Sequence, residues 1–291
     1  MISRPSVVIP VQPQEVSLPL LFARQAETWG ARRLWLGQSH NLETFSLLSY
    51  LAGAGVRLPL GTCVAWTALR PPYTAGLVAR SIAAMSGHPL VAGFGPATPA
   101  QVAAVRGRPY DSPVRATADY VRRVRELTEG APVEVGAGVL RPAMARAVAP
   151  HAHVAITWLT PPRYLAERLV PVLRADTVAP RLATVVHFAL AGPGRDPRVL
   201  ADSAIRDHLR LPHYAGMLRL AGLDPEGDAE SLIDAGVFVY GTVAEVLDRL
   251  AAYRAAGVDE IILNPSAAFF EHGPAAALAD LEALFAALAA G

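Results

Sequence analysis

The feature that most constrains the fold is a regular alternation of short apolar runs with segments of helical spacing. Between the runs, apolar residues recur at intervals of three and four, as on one face of a helix. No hairpin signal joins consecutive runs, so the pattern predicts parallel strands buried on both faces. The eight runs span residues 6–11, 33–37, 57–64, 89–95, 132–138, 153–159, 181–190 and 260–265.

Eight such units favour an α/β fold of the (β/α)8 TIM-barrel type over an open doubly wound sheet. No Gly-x-Gly-x-x-Gly opens the first unit, which counts against dinucleotide binding of the Rossmann type. We expect residues 1–291 to form one domain, because barrels of this length are common. Residues 191–239, rich in Gly, Pro and Asp, are predicted to be a long seventh βα connection with one or two helices. Thr242 and Glu245 form a capping box for a helix predicted to stop at Gly257.

The charged residues exclude several function classes. All 26 basic residues are arginine, so lysine Schiff bases and a P-loop lysine are absent, and arginine, hydroxyls or N–H groups must hold any phosphate. A net charge of +1 offers no field for nucleic acid or an anionic membrane, which leaves a small-molecule partner. The apolar C-terminal segment is interrupted by Asp280 and Glu282, and no signal peptide opens the chain. We therefore expect a soluble, cytoplasmic protein.

Four segments of the chain resemble a known family: three at the ends of the second, third and fourth strands, and one that leads into the last strand. They read "GQSHNLETF", "GTCVAW", "GFGPAT" and, around the last helix and strand, "GTVAEVLDRLAAYRAAGVDEIILNP". In this order they resemble the bacterial luciferase-like superfamily of flavin and deazaflavin oxidoreductases, over nearly the whole chain. The resemblance implies a (β/α)8 barrel whose redox cofactor lies at the carboxyl ends of the strands.

Two stretches are similar to the branch that uses the deazaflavin coenzyme F420. "SHNLETF" is similar to the Asp-His-Tyr-Asn-x-Arg-Asp-x-Phe stretch of the methylenetetrahydromethanopterin reductase type, with His40 and Phe45 in place and Ser39 where the branch has aspartate. "GFGPAT" is similar to its Gly-x-Gly-Pro-Gly, with Ala97 at the last glycine. The resemblance implies F420 as cofactor, and FMN is the alternative.

The only cysteine, Cys63, lies where the third strand ends. The resemblance implies a non-prolyl cis peptide at Cys63–Val64 or its immediate neighbour, in a bulge that backs the cofactor ring. No basic residue near Cys63 in the sequence would lower its pKa, which disfavours a nucleophile. A plain buried cysteine remains the alternative to cofactor contact.

His40 is the predicted catalytic residue. The resemblance places it beside the substrate side of the ring, where an imidazole that titrates near neutrality can donate a proton or polarise the substrate. A hydrogen-bonded loop histidine is the alternative.

The other predicted site residues lie at the ends of the second and later strands or shortly after them. Cofactor contacts are predicted for Ser39, Cys63, Val64, Gly93, Gly95, Pro96, Ala97, Thr98, Thr157, Trp158, Thr160 and Arg163, with Arg163 on the phosphate. Trp66, Tyr73 and His187 are predicted to line a substrate pocket, although the sequence does not decide which way His187 points. His151 and His153 have metal-ligand spacing but begin a strand at the opposite end of the barrel, so no metal is predicted.

These features predict an F420-dependent oxidoreductase that transfers a hydride between the deazaflavin and a small organic or peptide substrate. Reduction of an activated double bond in specialised metabolism is the predicted reaction. An FMN-dependent monooxygenase and a non-catalytic flavin-fold binding protein are the alternatives. The resemblance also implies that the chain can form a homodimer through its barrel helices.

Overall fold

A computed structural model describes residues 4–175 and 178–290, and eight of its strands close into the predicted TIM barrel. Strand β8 pairs with β10 and β10 with β1, which completes the ring; every described strand pairing is parallel. The sequence did not predict β4, which pairs with β5, or β9, which pairs with the end of β8. The strands are β1 Ser6–Val8, β2 Leu34–Leu36, β3 Leu60–Thr62, β4 Ala65–Trp66, β5 Leu90–Gly95, β6 Val133–Gly138, β7 Val154–Trp158, β8 Arg181–Leu190, β9 Phe238–Gly241 and β10 Glu260–Asn264.

The helices surround this ring. The predicted capping box is confirmed, since Thr242 and Glu245 bond each other's backbone N–H groups, and the turn after the helix contains Gly257 at φ 96°. The helices are α1 Ser17–Thr28, α2 Thr44–Gly53, α3 Pro72–Ser86, α4 Pro99–Arg106, α5 Pro113–Leu127, α6 Pro142–Val148, α7 Pro162–Tyr164 with a π-helical turn Leu165–Leu169, α8 Val170–Leu173, α9 Pro197–Leu209, α10 Pro212–Leu220, α11 Ala229–Asp234, α12 Val243–Ala255 and α13 Ser266–Ala290.

The predicted seventh connection is the insertion that follows β8. It contains three helices, α9, α10 and α11, rather than one or two. Arg195 binds the first residues of the insertion to α13, because one of its guanidinium nitrogens donates to both carboxylate oxygens of Asp280 at 2.7 Å. The N–H of Leu190 also donates to Asp280, which is buried. The insertion is thus joined to α13 at the edge of the barrel.

Helix α13 is long and apolar enough to cross a membrane by length and composition alone. In the structure it bends at Gly273, which has φ 82°, just before Pro274. One side of it is buried against the barrel through Leu281, Leu284 and Phe285. Its position and its buried Asp280 are those of an outer helix of the barrel.

Charged side chains fill the end of the barrel at which the strands begin. Glu260 is fully buried and accepts hydrogen bonds from the Ser6 hydroxyl at 2.6 Å and the Trp35 indole at 2.9 Å. Arg33 and Arg181 lie 3.5 and 3.4 Å from its carboxylate. Burial alone would raise the pKa of Glu260, but Arg33 and the Ser6 hydrogen bond hold it below its usual range. This network blocks the lower end, so a ligand must enter at the carboxyl ends.

Candidate functional site

The open end of the barrel is formed where β3, β7, β8 and β10 end. Alternate strand residues point into the barrel, and the interior cluster includes Cys63 and Ile156, with Val64 and Trp158 packed on it. The peptide bond Cys63–Val64 is cis, at the position that the family resemblance implied. We call this end of the barrel interior the mouth.

Val64 forms an apolar wall of the mouth against two glycines. A Cβ built on Gly95 would lie 2.6 Å from the Val64 Cγ2 methyl, so only glycine leaves room there. A Cβ on Gly138 would lie 3.4 Å from the same methyl, which is an ordinary contact. The second glycine of the Gly93-Phe-Gly95 sequence is therefore required by the position of Val64.

Gly93 lies inside strand β5 rather than in the predicted turn. Its N–H donates to the Thr62 hydroxyl at 2.8 Å, and that hydroxyl lies 2.7 Å from the Gly93 carbonyl. A Cβ at this position would lie 2.1 Å from the carbonyl oxygen of Thr62, so close strand packing accounts for the glycine. The N–H predicted to meet a cofactor is already used within the sheet.

The turn itself starts after Gly95. Ala97 has φ 61°, a conformation that favours glycine, and it stands where the F420 branch has glycine. Thr98 caps helix α4, since its hydroxyl accepts from the N–H of Gln101. The cofactor contacts predicted for Pro96, Ala97 and Thr98 stay predictions.

Two predicted site residues meet at the rim of the mouth. The rings of His40 and Trp66 are 4.9 Å apart in an edge-to-face arrangement, and His40 is exposed. The backbone of His40 is held by the side chain of Gln12, and that of Trp66 by the side chain of Gln38. Beside them, Ser39 is buried and its hydroxyl accepts from two backbone N–H groups of the following turn. The catalytic role of His40 stays a prediction.

His187 points into the mouth, the orientation that the sequence could not decide. It is only 1% exposed, its Nε2 lies 2.9 Å from Nδ2 of Asn264, and its ring is 5.2 Å from that of Trp158. Burial lowers the pKa of His187 well below the usual value, so the ring is neutral. We call Trp158, His187, Asn264 and Ser266 the floor of the mouth.

The insertion covers this floor with two rings that the sequence reasoning missed. His208 of α9 lies 5.8 Å from Trp158, with the two rings inclined by 26°, and Tyr214 of α10 lies 5.7 Å from His208. Burial, and then the nearby Cys63 thiol, raise the pKa of Tyr214. The sequence does contain a signal for these rings, namely the cluster of His208, His213 and Tyr214 in an otherwise irregular segment.

Cys63 is buried in the barrel interior. Burial, and then the negative charge of Glu260, raise the pKa of its thiol. The thiol is therefore protonated at neutral pH, which agrees with the prediction that it is no nucleophile.

Four other predicted residues lie away from the mouth interior. Thr157 and Thr160 are buried, and their hydroxyls bond each other at 2.8 Å; that of Thr157 also bonds Thr184 at 2.7 Å. Because Ile156 and Trp158 face inward, Thr157 faces the outer helices. Arg163 is 83% exposed and pairs with Glu167 at 2.8 Å, and Tyr73 is 62% exposed at the start of α3. Their ligand contacts stay predictions.

The histidine pair with metal-ligand spacing lies at the closed end. Nδ1 of His153 accepts from the N–H of Val135 at 3.0 Å, so this nitrogen is used in the sheet. Burial lowers the pKa of His153. The described residues contain no group of three or more His, Cys, Asp or Glu arranged to hold a metal.

Comparison with known proteins agrees with the family resemblance. Residues 14–140 match the model of a family described as luciferase-like monooxygenase. A search of curated protein sequences finds no significant match. The matched part contains β2 to β6, and with them the wall formed by Val64 and Gly95.

Solved structures share the fold over nearly the whole chain. An F420-dependent secondary alcohol dehydrogenase in complex with an F420–acetone adduct has 15% identity and a TM-score of 0.76, with 97% of this chain and 99% of that one covered. The coenzyme F420-dependent tetrahydromethanopterin reductase of Methanopyrus kandleri has 14% identity and a TM-score of 0.72, with coverage of 91% and 96%. The oxygenating constituent of 3,6-diketocamphane monooxygenase from Pseudomonas putida, in complex with FMN, has 14% identity and a TM-score of 0.72, with coverage of 97% and 96%. The (β/α)8 barrel predicted from the sequence is thereby confirmed.

Proposed function

We propose that this luciferase-like barrel is an oxidoreductase that binds coenzyme F420 at its mouth and transfers a hydride between it and an organic substrate. The observation that carries the proposal is the apolar wall of Val64 over Gly95 and Gly138, at the strand end where the family resemblance places the cofactor ring. Both an F420-dependent enzyme and an FMN complex share the fold, so a flavin-type cofactor suits this barrel.

The residues at the mouth fit such a ring in two ways. Val64 is an apolar side chain whose methyl groups pack against Gly95 and Gly138, and an apolar surface at this position suits an aromatic plane. The indole N–H of Trp158 and Nδ1 of His187 are buried and have no hydrogen-bond partner among the described residues, and a flavin-type ring carries oxygen acceptors along one edge. When bound, F420 supplies or accepts the hydride; the chain positions it and excludes water.

His40 is the group that we assign to proton transfer. Its imidazole is exposed at the rim, and contact with Trp66 holds it at the edge of the mouth. An imidazole at the rim can act as general acid or base, and hydride transfer to an activated double bond requires a proton at the neighbouring atom. His40 therefore exchanges a proton with the substrate, and Trp66 orients the His40 ring.

For the cofactor phosphate we propose the pocket beside α7 at the mouth side of β7. Arg163 and Arg168 line it together with Tyr164, Glu167 and residues 220–222, and its volume is about 250 Å³. Arginine is the only long cationic side chain in this protein, so a phosphate has no lysine to bind. Glu167, which pairs with Arg163, must release it when phosphate binds.

The second candidate is an FMN-dependent monooxygenase on the same barrel. It is favoured by the family model, which is described as a luciferase-like monooxygenase, and by the FMN complex among the similar structures. A barrel that only binds a flavin is the third candidate. We further propose a small organic or peptide substrate, a cytoplasmic location and a homodimer, and no nucleic-acid or membrane partner.

Cofactor titration under anaerobic conditions tests the proposal. The purified protein is titrated with F420 and, separately, with FMN, and binding is followed by quenching of tryptophan fluorescence and by cofactor absorbance. We expect saturable binding of F420 at one site per chain and weaker binding of FMN. Binding of FMN alone, with rapid oxygen consumption after reduction, would establish the monooxygenase instead. Binding of neither cofactor would refute both enzyme assignments.

A further inference from the structure

The protonation of His187 is set by its neighbours. Oδ1 of Asn264 accepts from the N–H of Ser266 at 3.0 Å, so the other end of that amide, Nδ2, faces His187 Nε2. Because an amide nitrogen only donates, Nε2 accepts and the proton of the neutral ring must be on Nδ1. Asn264 is therefore a positioning residue that fixes the tautomer of His187.

The Nδ1–H group of His187 has no acceptor among the described residues, and neither has the indole N–H of Trp158. The hydroxyl of Ser266, two residues beyond Asn264, is also buried without a partner. A buried donor left unpaired destabilises the folded protein, so three at one end of a barrel require an explanation. Trp158 is in β7 and His187 in β8, and Ser266 is the first residue of α13, two residues after the end of β10; these three strands are neighbours.

We propose that the floor of the mouth is a binding site for a conjugated carbonyl oxygen, with His187 Nδ1–H and Trp158 Nε1–H as its donors. Both donors are uncharged, since the imidazole is neutral and an indole does not ionise, and uncharged donors suit a polarised carbonyl oxygen. This inference rests on the proposed function, because both sources of the oxygen come from it. The oxygen belongs either to the carbonyl edge of the redox cofactor or to an unsaturated carbonyl substrate.

The insertion covers this floor. The His208 ring lies over Trp158, and Tyr214 packs against His208, so a ligand reaches the donors only when α9 and α10 move outward. Burial lowers the pKa of His208, which is neutral while it is covered. Opening changes the surroundings of Trp158, and its fluorescence reports ligand entry.

Nitrogen NMR of the protein with ¹⁵N-labelled histidine tests the site without any substitution. In the free protein we expect His187 as the neutral Nδ1–H tautomer. His153 is the internal control, because its Nδ1 accepts a hydrogen bond and its proton must be on Nε2. A His187 found as the Nε2–H tautomer or as a cation would overturn the proposal.

Three probes then identify the source of the oxygen: F420, FMN, and 2-cyclohexenone added both to the free protein and to the F420-loaded protein. A shift of the His187 Nδ1 signal with either cofactor assigns the oxygen to the ring, and a shift that appears only with cyclohexenone assigns it to the substrate. His153 should not move. If F420 or FMN binds by fluorescence but no probe moves His187, the donor site is refuted while the proposed function stands. If neither cofactor binds and cyclohexenone alone moves His187, the proposed function fails and the donor site stands.

An Asn264→Leu variant tests the positioning role. Without the amide, the two tautomers of His187 should both be populated, and affinity for the active probe should fall about tenfold, which corresponds to ~1.4 kcal/mol. Unchanged tautomer signals and affinity would show that Asn264 does not position His187. Thermal unfolding of the variant separates this effect from a loss of folding.

Discussion

The Cγ2 methyl of Val64 fills the space in front of Gly95 so closely that a Cβ on that glycine would lie only 2.6 Å away. Gly138, on the neighbouring strand β6, leaves 3.4 Å to the same methyl. Neither glycine has a positive φ, so an added methyl group tests packing and not backbone conformation. The wall of the mouth thus offers a matched pair of substitutions.

We expect Gly95→Ala to weaken cofactor binding and Gly138→Ala to leave it nearly unchanged. The added methyl at position 95 must push Val64 into the mouth, at a cost of about 1–3 kcal/mol, whereas position 138 has room for it. Titration of both variants with F420 measures the difference, for which we expect at least about a tenfold increase of Kd for Gly95→Ala alone. Equal affinities would place the cofactor away from Val64.

Replacement of His40 should affect turnover rather than binding. We expect His40→Ala to lower kcat about 10²-fold to 10⁴-fold, because a general acid contributes that much, with little change in the Kd of F420. His88→Ala is the control, since His88 precedes β5 at the closed end of the barrel. Turnover at the original rate in His40→Ala would remove the catalytic assignment.

Stability should decrease as the pH falls below about 6.5. Burial lowers the pKa of His187 and His208, so the unfolded chain binds protons that the folded protein does not. Each histidine then removes up to ~1.4 kcal/mol per pH unit between its unfolded pKa and its lower folded pKa. Urea unfolding between pH 8 and pH 5 measures this loss, and His187→Gln should reduce the slope. A slope that does not change in this variant would contradict a neutral, buried His187.

Glu260→Gln should destabilise the barrel by up to about 3–5 kcal/mol, because it removes the buried one of the two carboxylates that neutralise Arg33 and leaves only Glu134, at 3.7 Å. The pKa of Glu260 is lowered in the folded protein, so its contribution is present above the unfolded pKa and is lost as the pH falls through the folded one. The variant should therefore show weaker acid destabilisation below about pH 4 than the parent protein. Urea unfolding at pH 7 and at pH 3.5 provides both values.

Local sequence signals predicted much of the fold. The eight barrel strands, the capping box at Thr242 and the turn at Gly257 depend on neighbours in the sequence, and the structure has all of them. Strand β4 was missed because only two residues separate it from β3 and it continues the same apolar run, and β9 was missed because it begins inside the segment predicted to be an irregular connection. Strand β4 forms by pairing with the longer β5, and β9 by pairing with the end of the longer β8.

The candidate site was less predictable because its contacts join distant parts of the chain. His187 and Asn264 are 77 positions apart, and nothing near either one in the sequence indicates the hydrogen bond between them. The cover formed by His208 and Tyr214 depends on how an irregular insertion folds back over the barrel. Gly93 was assigned to a turn because Gly-x-Gly is typical of both turns and tightly packed strands.

The most direct test of the account is a crystal structure of the protein with F420. We predict that the deazaflavin ring lies in the mouth against Val64, with His208 displaced from its position over Trp158 and Tyr214 displaced with it. A ring bound elsewhere, with those two side chains still in place over the floor, would contradict it.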